Sequence, residues 1–456
     1  MSSNPADLAV PELLTGWGRT MPSRAAVVRP GTVDDVAAAL TSAGPRGVLA
    51  RGAGRSYGDA AQNGGGTVLD LAALADVELL DDGDVVAVAG ALLSALVPVL
   101  LAAGRFLPVT PGTRFVTVGG ALAADVHGKN HHVDGSLGDH VRRLDLVTPD
   151  GTTHVLERGA STTGDRLLDA TLGGMGLTGV ITSARLATIP APTPWVVVDT
   201  RRADDLDALM SLMTDPTDEH RYSVAWVDGT ARGRRLGRGV LTLGDHASPD
   251  QARGRTGGAV PDVAPRIGVP PIPVSPLGRL SIAAFNEAWF RKAPRSRDAE
   301  LVGIAPYFYP LDAVGGWNRL YGPRGFLQYQ FAVPDSGADV VRRTLERLAE
   351  IGAPSFLSVL KRFGPGRASS PLSFPIEGWT LAVDVPTSVP GLARALDELD
   401  DVVLAAGGRL YLAKDSRAVP ATIAAGYPGL ADFRALRAEI DPRGVLVSDL
   451  SRRLQL

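Results

Sequence analysis

The residues best suited to chemistry lie in three glycine-rich segments, the second of which also holds a cluster of histidines and a lysine. The segments read RGAGRSYGDAAQNGGG at 51–66, VTPGTRFVTVGGALAADVHGKNHH at 109–132 and TLGGMGLTGVIT at 171–182. Glycine lets backbone N–H groups turn toward an anion and permits the close approach that a dinucleotide pyrophosphate requires. Three such turns, each near an apolar strand, favour a long ligand held mainly by backbone over an isolated glycine turn.

The first segment departs from two common phosphate-binding motifs. No Gly-Lys-Ser/Thr follows it, so it is not a P-loop. Gly52 and Gly54 have the first spacing of the dinucleotide fingerprint, but Tyr57 stands where the third glycine belongs. A nicotinamide Rossmann site is therefore disfavoured.

Four of the seven histidines lie between 127 and 140. The i, i+4 spacing of His127 and His131 would suit a metal pair on a helix, but no carboxylate motif accompanies them and Lys129 lies between them. Hydrogen-bonded structural histidines and a polar cluster beside a ligand are the other two interpretations. We predict no metal.

The elements around the first segment are predicted by local signals. AAVVRP and GVLARG are strand-like, and Thr32 with Asp35 makes a capping box for a helix between them. Residues 85–104 carry no charge over about the length of a bilayer span. The stretch instead predicts a buried strand followed by a buried helix, because it starts with β-branched residues, Gly90 interrupts it, and Gly104 ends its helix-like part.

The rest of the chain is predicted to alternate strands and helices around one long loop. PAPTP at 190–194 indicates a domain boundary, and the proline-rich residues 249–276 are typical of a lid, a binding loop or a disordered segment. GFLQYQFAVP and WTLAVDVP alternate like strands, and an amphipathic helix with a glycine stop follows them. We expect residues 409–456 to form loop and helix and to return to the first domain.

Composition narrows the function classes. The 456 residues carry a net charge of −3, so bulk electrostatics favour no nucleic-acid partner. There are no cysteines, which excludes disulfides, iron–sulfur clusters and thiolate zinc sites. The N-terminal residues lack the basic and apolar regions of a signal peptide.

Together these motifs resemble the FAD-binding segments of the vanillyl-alcohol-oxidase type of flavoprotein. TGWGRT, GRSYGDAAQNGGG, HGKNHH, GPRGFLQYQF, PLSFPIEGW and GGRLYLAKDSR resemble, more specifically, the decaprenylphosphoryl-β-D-ribose oxidase family, from about residue 15 onward. The resemblance implies an α+β fold: a two-subdomain FAD-binding domain with an inserted substrate domain built on an antiparallel sheet. We expect the FAD domain at 1–190, the substrate domain at 191–408 and a segment returning to the FAD domain at 409–456.

The resemblance also assigns site residues. Catalytic roles fall on Lys414, Tyr57, His127 and Lys129, with Lys414 in LAKDSR matching the family's active-site lysine. FAD contacts are expected from Arg51, Gly52, Ala53, Gly54, Arg55, Ser56, Tyr57, Gly112, Thr113, Val116, Gly119, Gly120, Ala124, His127, Gly128, Asn130, Gly174, Gly179, Ile181 and Tyr411. Substrate contacts are expected from Gln328, Gln330, Lys361, Thr380, Ala382, Lys414 and Tyr309. Without the resemblance, Lys414 would be predicted to lie at the surface, and the two glutamines on one face of a strand could equally face solvent.

Three departures from the family pattern bear on the site. Arg55 stands where relatives with covalent flavin carry histidine, so we expect non-covalent FAD. Ala382 replaces a frequent cysteine and Thr380 a frequent asparagine, and both changes fall where the pocket is expected. Benzothiazinone inhibitors of this family depend on that cysteine.

The function implied is oxidation of the 2′-hydroxyl of a polyprenylphosphoryl-β-D-ribose to the 2′-ketone. An NAD(P)H-dependent reductase partner would complete epimerisation to the arabinose donor for actinobacterial cell-wall arabinan. Soluble oxidation of sugar alcohols or aldonolactones by the same flavin class is the alternative, and a flavin-free binding protein is a rival from another class. We expect a cytoplasmic or periplasmic protein with peripheral membrane contact, through the proline-rich loop and WFRKAPRSR at 289–297, and no transmembrane span.

Overall fold

The computed structural model describes residues 10–254, 265 and 267–456. Its first sheet has four strands in the order β1-β2-β4-β3, in which β4 runs parallel to both β2 and β3. The elements are β1 (Val10–Leu14), β2 (Ser23–Val28), α1 (Val33–Thr41), β3 (Val48–Arg51) and β4 (Thr67–Asp70). The predicted β-α-β unit is confirmed, and so is its capping box, since Thr32 and Asp35 bond each other's backbone N–H groups.

A second, five-stranded antiparallel sheet follows in the order β5-β6-β10-β8-β9. Its region contains β5 (Val77–Leu79), β6 (Val85–Val88), α2 (Leu93–Ala102), β7 (Arg105–Phe106), α3 (Val118–Ala123), α4 (His131–Asp134), β8 (Val141–Val147), β9 (Thr153–Glu157), α5 (Thr162–Thr171), β10 (Val180–Leu186) and β11 (Ile189–Pro190). The uncharged stretch 85–104 forms β6 and the ten-residue helix α2, as predicted. Within the described part of the chain, the search for a helix long and apolar enough to cross a bilayer found none.

The third sheet has eight strands, all antiparallel, in the order β16-β12-β14-β13-β19-β20-β18-β21. The elements from here onward are β12 (Trp195–Ala203), α6 (Leu206–Met213), β13 (Tyr222–Val227), β14 (Gly239–His246), β15 (Ile267–Gly268), α7 (Arg279–Lys292), β16 (Ser296–Gly303), α8 (Ile304–Phe308), β17 (Val314–Gly315), β18 (Phe326–Pro334), α9 (Asp339–Glu350), β19 (Ser358–Phe363), β20 (Gly378–Pro386), α10 (Leu392–Ala405), β21 (Arg409–Leu410), α11 (Pro420–Gly426), α12 (Leu430–Ile440) and α13 (Asp449–Leu454). The predicted strands at 325–334 and 379–386 are β18 and β20, and the predicted amphipathic helix is α10. The fold is α+β, as expected.

The C-terminal elements contact both the first sheet and the third. Leu446 forms a parallel bridge with Val48 at the edge of the first sheet. Arg453 in α13 donates to Asp59 and also to Asp415. The short strand β21 begins at the predicted boundary of 409 and pairs with β18 in the third sheet. Residues distant in sequence therefore meet around the first glycine segment.

Candidate active site

One cavity of about 1210 Å³ collects most of the predicted site residues. Single small-molecule pockets usually measure about 300–1,000 Å³, so this one has room for more than a single small ligand. Its walls are the glycine segments, the loop that follows β21 and one face of the eight-stranded sheet. Helix α7 contributes Phe285, Trp289 and Lys292.

At the glycine-rich wall of the cavity, a side chain in place of glycine would either project into the cavity or collide with a neighbouring residue. A Cβ at Gly112 or Gly176 would meet no protein atom within 4 Å, and both residues line the cavity, so it would enter open space there. At Gly52 a Cβ would instead lie 2.0 Å from Thr117 Oγ1. The chain can therefore hold bare backbone close to a long ligand, which is the cradle that FAD requires.

Most predicted residues border this cavity. They are Gly52, Ala53, Gly54, Arg55, Ser56, Tyr57, Gly112, Thr113, Val116, Gly119, Gly120, Ala124, His127, Gly128, Lys129, Gly179, Ile181, Gln328, Gln330, Lys361, Ala382, Tyr411 and Lys414. The arrangement supports grouping them, while their individual roles stay predictions.

Five predicted residues lie outside the cavity lining, and two of them hold backbone instead. The Arg51 guanidinium donates to the carbonyls of Thr15 and Ala61, so it ties the first segment to the chain before it. The side-chain amide of Asn130 donates to the carbonyl of Pro108 at 2.7 Å. These backbone contacts give both residues a structural role beside the cavity, and direct ligand contact stays a prediction.

Gly174, Tyr309 and Thr380 are the other three residues outside the lining, and their roles stay predictions. A Cβ at Gly174 would lie 2.1 Å from the Ala170 carbonyl, so this glycine serves packing. Tyr309 is only 2% exposed, and its hydroxyl bonds Thr110 Oγ1 at 2.8 Å. Thr380 is 1% exposed; its hydroxyl accepts from Gln330 and lies behind that side chain.

At the end of the cavity formed by β18 and β20, Gln328 links a tyrosine to a buried carboxylate. Its amide donates to the Tyr57 hydroxyl at 3.2 Å and to Asp384 Oδ1 at 2.5 Å. The half-buried Lys414 amine lies 3.9 Å from the centroid of the Tyr57 ring, within the range of a cation–π contact. Gln328 is 9% exposed, so the solvent-facing interpretation of this strand is wrong.

The charges of Asp384 and Lys414 influence each other. Burial raises the pKa of the Asp384 carboxyl, while its bond from Gln328 and the Lys414 charge act in the opposite direction. Burial lowers the pKa of Lys414, and the Asp384 carboxylate opposes that shift. A change at one group therefore alters protonation of the other.

A second polar group centres on His127. Lys361 Nζ donates to His127 Nδ1 at 2.9 Å and to the Gly128 carbonyl at 3.2 Å. Burial, followed by the nearby Lys361 charge, lowers the pKa of His127 well below its usual value, so the ring is neutral near pH 7. With Nδ1 accepting from Lys361, Nε2 of the neutral ring carries the proton, so its 3.1 Å contact with the Gln330 amide nitrogen brings two donors together and is not a hydrogen bond.

Lys129 approaches the same end of the cavity from the second glycine segment. Its amine donates to the Tyr307 carbonyl and lies 4.2 Å from the centroid of the Tyr307 ring. Burial lowers the pKa of Lys129 to about 7, and burial together with the charges of Lys129 and Lys414 lowers that of Lys361 to about 7.

The helical metal-pair interpretation of the histidines does not hold. His131 begins α4, whereas His127 precedes this helix and pairs by a β-bridge with Ser136. Both rings contact Phe363. Among the residues that the structure describes, no group of three or more His, Cys, Asp or Glu could hold a metal.

Sequence reasoning missed Asp384 and the apolar half of the cavity. Asp384 shares the β20 face of Thr380 and Ala382, and this alternation could have revealed it. The apolar half consists of alternate residues from four strands of the third sheet, whose apolar members are Val198, Val224, Trp226, Val240 and Val302.

Comparison with known proteins identifies the class and then the family. Residues 24–157 match the model of the FAD-binding domain, so the class that fold and site define is that of FAD-binding oxidoreductases. The chain is 41% identical to decaprenylphosphoryl-β-D-ribose oxidase of Mycolicibacterium smegmatis over 97% of both chains. It belongs to the decaprenylphosphoryl-β-D-ribose oxidase family, and the predicted FAD-dependent oxidoreductase is confirmed.

Two further relatives show how specific this family assignment is. An uncharacterised protein of Streptomyces coelicolor is 42% identical over 80% of this chain and all of its own length. An alditol oxidase of a Streptomyces species is 25% identical over 97% of this chain and 98% of its own. The whole-chain match to the alditol oxidase is much weaker than the match to the ribose oxidase.

Proposed function

We propose that this protein oxidises the 2′-hydroxyl of a polyprenylphosphoryl-β-D-ribose to the 2′-keto sugar. In this proposal the reaction is the first half of an epimerisation that supplies an arabinose donor for cell-wall arabinan. A separate NAD(P)H-dependent reductase completes it. The family relationship supports the sugar, and the shape and lining of the cavity support the lipid.

The observation that carries the proposal is the gradient of polarity across the sheet face. The end formed by β18, β20 and β19 presents Gln328, Gln330 and Lys361. The end formed by β13, β14, β12 and β16 presents four valines and Trp226, together with Thr200, Thr242 and Glu300. With strands about 4.8 Å apart, the six intervals from β18 to β16 span roughly 29 Å. A polar sugar head joined to a long apolar tail matches both ends.

The chemistry falls to the polar end. FAD, when bound, accepts the hydride that leaves the sugar carbon. Lys414 holds the reacting hydroxyl, either by donating a hydrogen bond, by stabilising a developing alkoxide or by taking the proton when its amine is neutral. Gln328 fixes the Tyr57 hydroxyl below it, and neutral His127 orients the Lys361 amine.

We further propose that residues 1–190 and 409–456 hold FAD non-covalently and that 191–408 bind substrate. Arg55 takes the place of a linking histidine; it donates to the Ala53 carbonyl at 2.6 Å and stacks 4.5 Å from the centroid of the Trp17 ring. These contacts give Arg55 a structural role beside the glycine turn, consistent with an unlinked cofactor.

Peripheral membrane contact through α7 completes the proposal. Leu280 is 86% exposed, and Phe285 and Trp289 on the same helix are nearly half exposed. Phe285 and Trp289 also border the apolar end of the cavity. Residues 255–264 and 266 of the predicted proline-rich loop lie outside the described residues. A polyprenyl tail could pass from a bilayer surface into the cavity beside this helix.

Anaerobic flavin bleaching tests the function directly. Polyprenylphosphoryl-β-D-ribose is expected to bleach the bound flavin at far lower concentration than xylitol or free ribose. The alditol oxidase relative makes sugar-alcohol oxidation the second candidate. Bleaching by xylitol without response to the lipid sugar would favour that candidate and contradict our proposal.

A further inference from the structure

Lysine is used in only one part of this molecule. The chain has 46 basic residues, of which four are lysines: Lys129, Lys292, Lys361 and Lys414. All four border the same cavity. The other 42 basic residues are arginines. A compact ammonium group is therefore confined to the cavity.

Lys129 and Lys361 form their hydrogen bonds with uncharged groups of the protein. Lys129 contacts the carbonyl and ring of Tyr307, and Lys361 contacts His127 Nδ1 and the Gly128 carbonyl. Within the described chain neither amine forms an ion pair with Asp or Glu at 4.0 Å or less. Both are half-buried, and their mutual repulsion adds to the cost of charging them. An anion between them would remove that cost.

The contacts that these lysines do make position them for such an anion. Each amine has three donors, and the protein acceptors at Tyr307, His127 and Gly128 engage only some of them. The remaining donors face a cavity that contains Lys414 as well. Oxidation of a neutral sugar would need one cation at the reacting hydroxyl, and Lys414 already supplies it.

We propose that Lys129 and Lys361 form an anion subsite that binds the phosphodiester on C1 of the ribose while Lys414 holds the 2′-hydroxyl. This inference rests on the proposed function. The carbon that carries the phosphodiester is bonded to the carbon that is oxidised, so a site acting on the 2′-hydroxyl must meet the phosphate immediately beside it. A lysine acts on phosphate as a point charge, which suits an anion shared by two amines.

The test compares a charged and a neutral sugar on the FAD-loaded protein. β-D-Ribofuranosyl 1-phosphate and methyl β-D-ribofuranoside are titrated anaerobically, and the concentration dependence of flavin reduction gives an apparent dissociation constant for each. Lys129→Gln and Lys361→Gln are each expected to weaken binding of the phosphate sugar about tenfold or more, as loss of a bond to a charged group does. Binding of the methyl riboside is expected to change little.

Lys292→Gln is the matched control, because Lys292 lies at the α7 side of the cavity over Trp289. It should retain the wild-type ratio of the two dissociation constants. An unchanged ratio in both subsite variants, or equal weakening toward both sugars, would overturn the anion subsite. Polyprenylphosphoryl-ribose is titrated in parallel with the wild type. Failure of that lipid to reduce the flavin contradicts the proposed function instead.

Discussion

At the scale of single residues, the central feature is a lysine whose surroundings shift its protonation. Lys414 is predicted from its motif, and the structure brings it to Tyr57 at the polar end of the cavity. We expect Lys414→Ala to lower turnover by about a hundredfold or more, the usual effect of losing a group that assists proton transfer. Flavin absorbance of the purified variant should remain normal. Near wild-type flavin reduction would remove Lys414 from the mechanism, and loss of FAD would make its role structural.

Asp384 should control the pH at which Lys414 changes charge. Its carboxylate favours the charged ammonium and so raises the pKa of Lys414 against the effect of burial. In Asp384→Asn this support is lost, and the pKa of Lys414 falls. We expect the limb of the pH–rate profile that depends on Lys414 to move to lower pH. Leu381→Ile on the same strand is a control, and a limb that stays in place would contradict the coupling.

Ala382 provides a position at which inhibitor chemistry can be introduced. It is 9% exposed, lines the cavity and pairs with Gln330 across the sheet. Reduction of a benzothiazinone nitro group gives a nitroso electrophile, which needs a thiolate to form an adduct. Because the chain has no cysteine, we expect weak, reversible inhibition of the wild type.

Ala382→Cys should show time-dependent inactivation and a mass increase of one adduct. Ala103→Cys, at an exposed position after α2, tests whether any thiol suffices. Reversible inhibition of Ala382→Cys, with reduction of the compound still observed, would mean that residue 382 is wrongly placed in the pocket.

At the scale of elements, α7 is expected to mediate membrane contact. Leu280→Glu puts a charge on its most exposed apolar position and should weaken binding to anionic liposomes, because burial of that side chain at the interface is lost. Sedimentation with vesicles measures the change. Val155→Glu, an exposed position on β9, is the matched control. Equal sedimentation of both variants with the wild type would contradict a role for α7.

Local sequence signals predicted the helices and strands well, whereas the hydrogen-bond partners of buried side chains could be identified only from the tertiary structure. The capping box of α1 involves residues three apart, so the sequence contains it completely. The alternation of β18 likewise puts Gln328 and Gln330 on one face. The residues of the Gln328–Asp384 pair are 56 positions apart in the sequence. From the sequence alone, a carboxylate in a strand is predicted to face solvent. Burial of Tyr309 against Thr110 depends on residues 199 positions apart, which no periodicity reveals.

At the scale of the whole molecule, the absence of cysteine and Arg55 at the linkage position predict removable FAD. Heat or acid should release the flavin into the supernatant after the polypeptide precipitates, because no covalent bond retains it. Absorbance of the two fractions measures the outcome. A yellow pellet that keeps its flavin after washing in denaturant would contradict non-covalent binding.

The contacts of α13 with the first glycine segment also govern when the cofactor site can be completed during synthesis. Asp59 is 2% exposed, and its cation, Arg453, is translated 394 positions later. Asp449 accepts from the Gly64 backbone across a similar separation. Until those residues leave the ribosome, the turn lacks both partners and a carboxylate destined for burial stays uncompensated. The first glycine segment therefore gains these contacts only at the end of synthesis, and a ribosome stalled before residue 449 would carry a nascent chain in which the segment still lacks them.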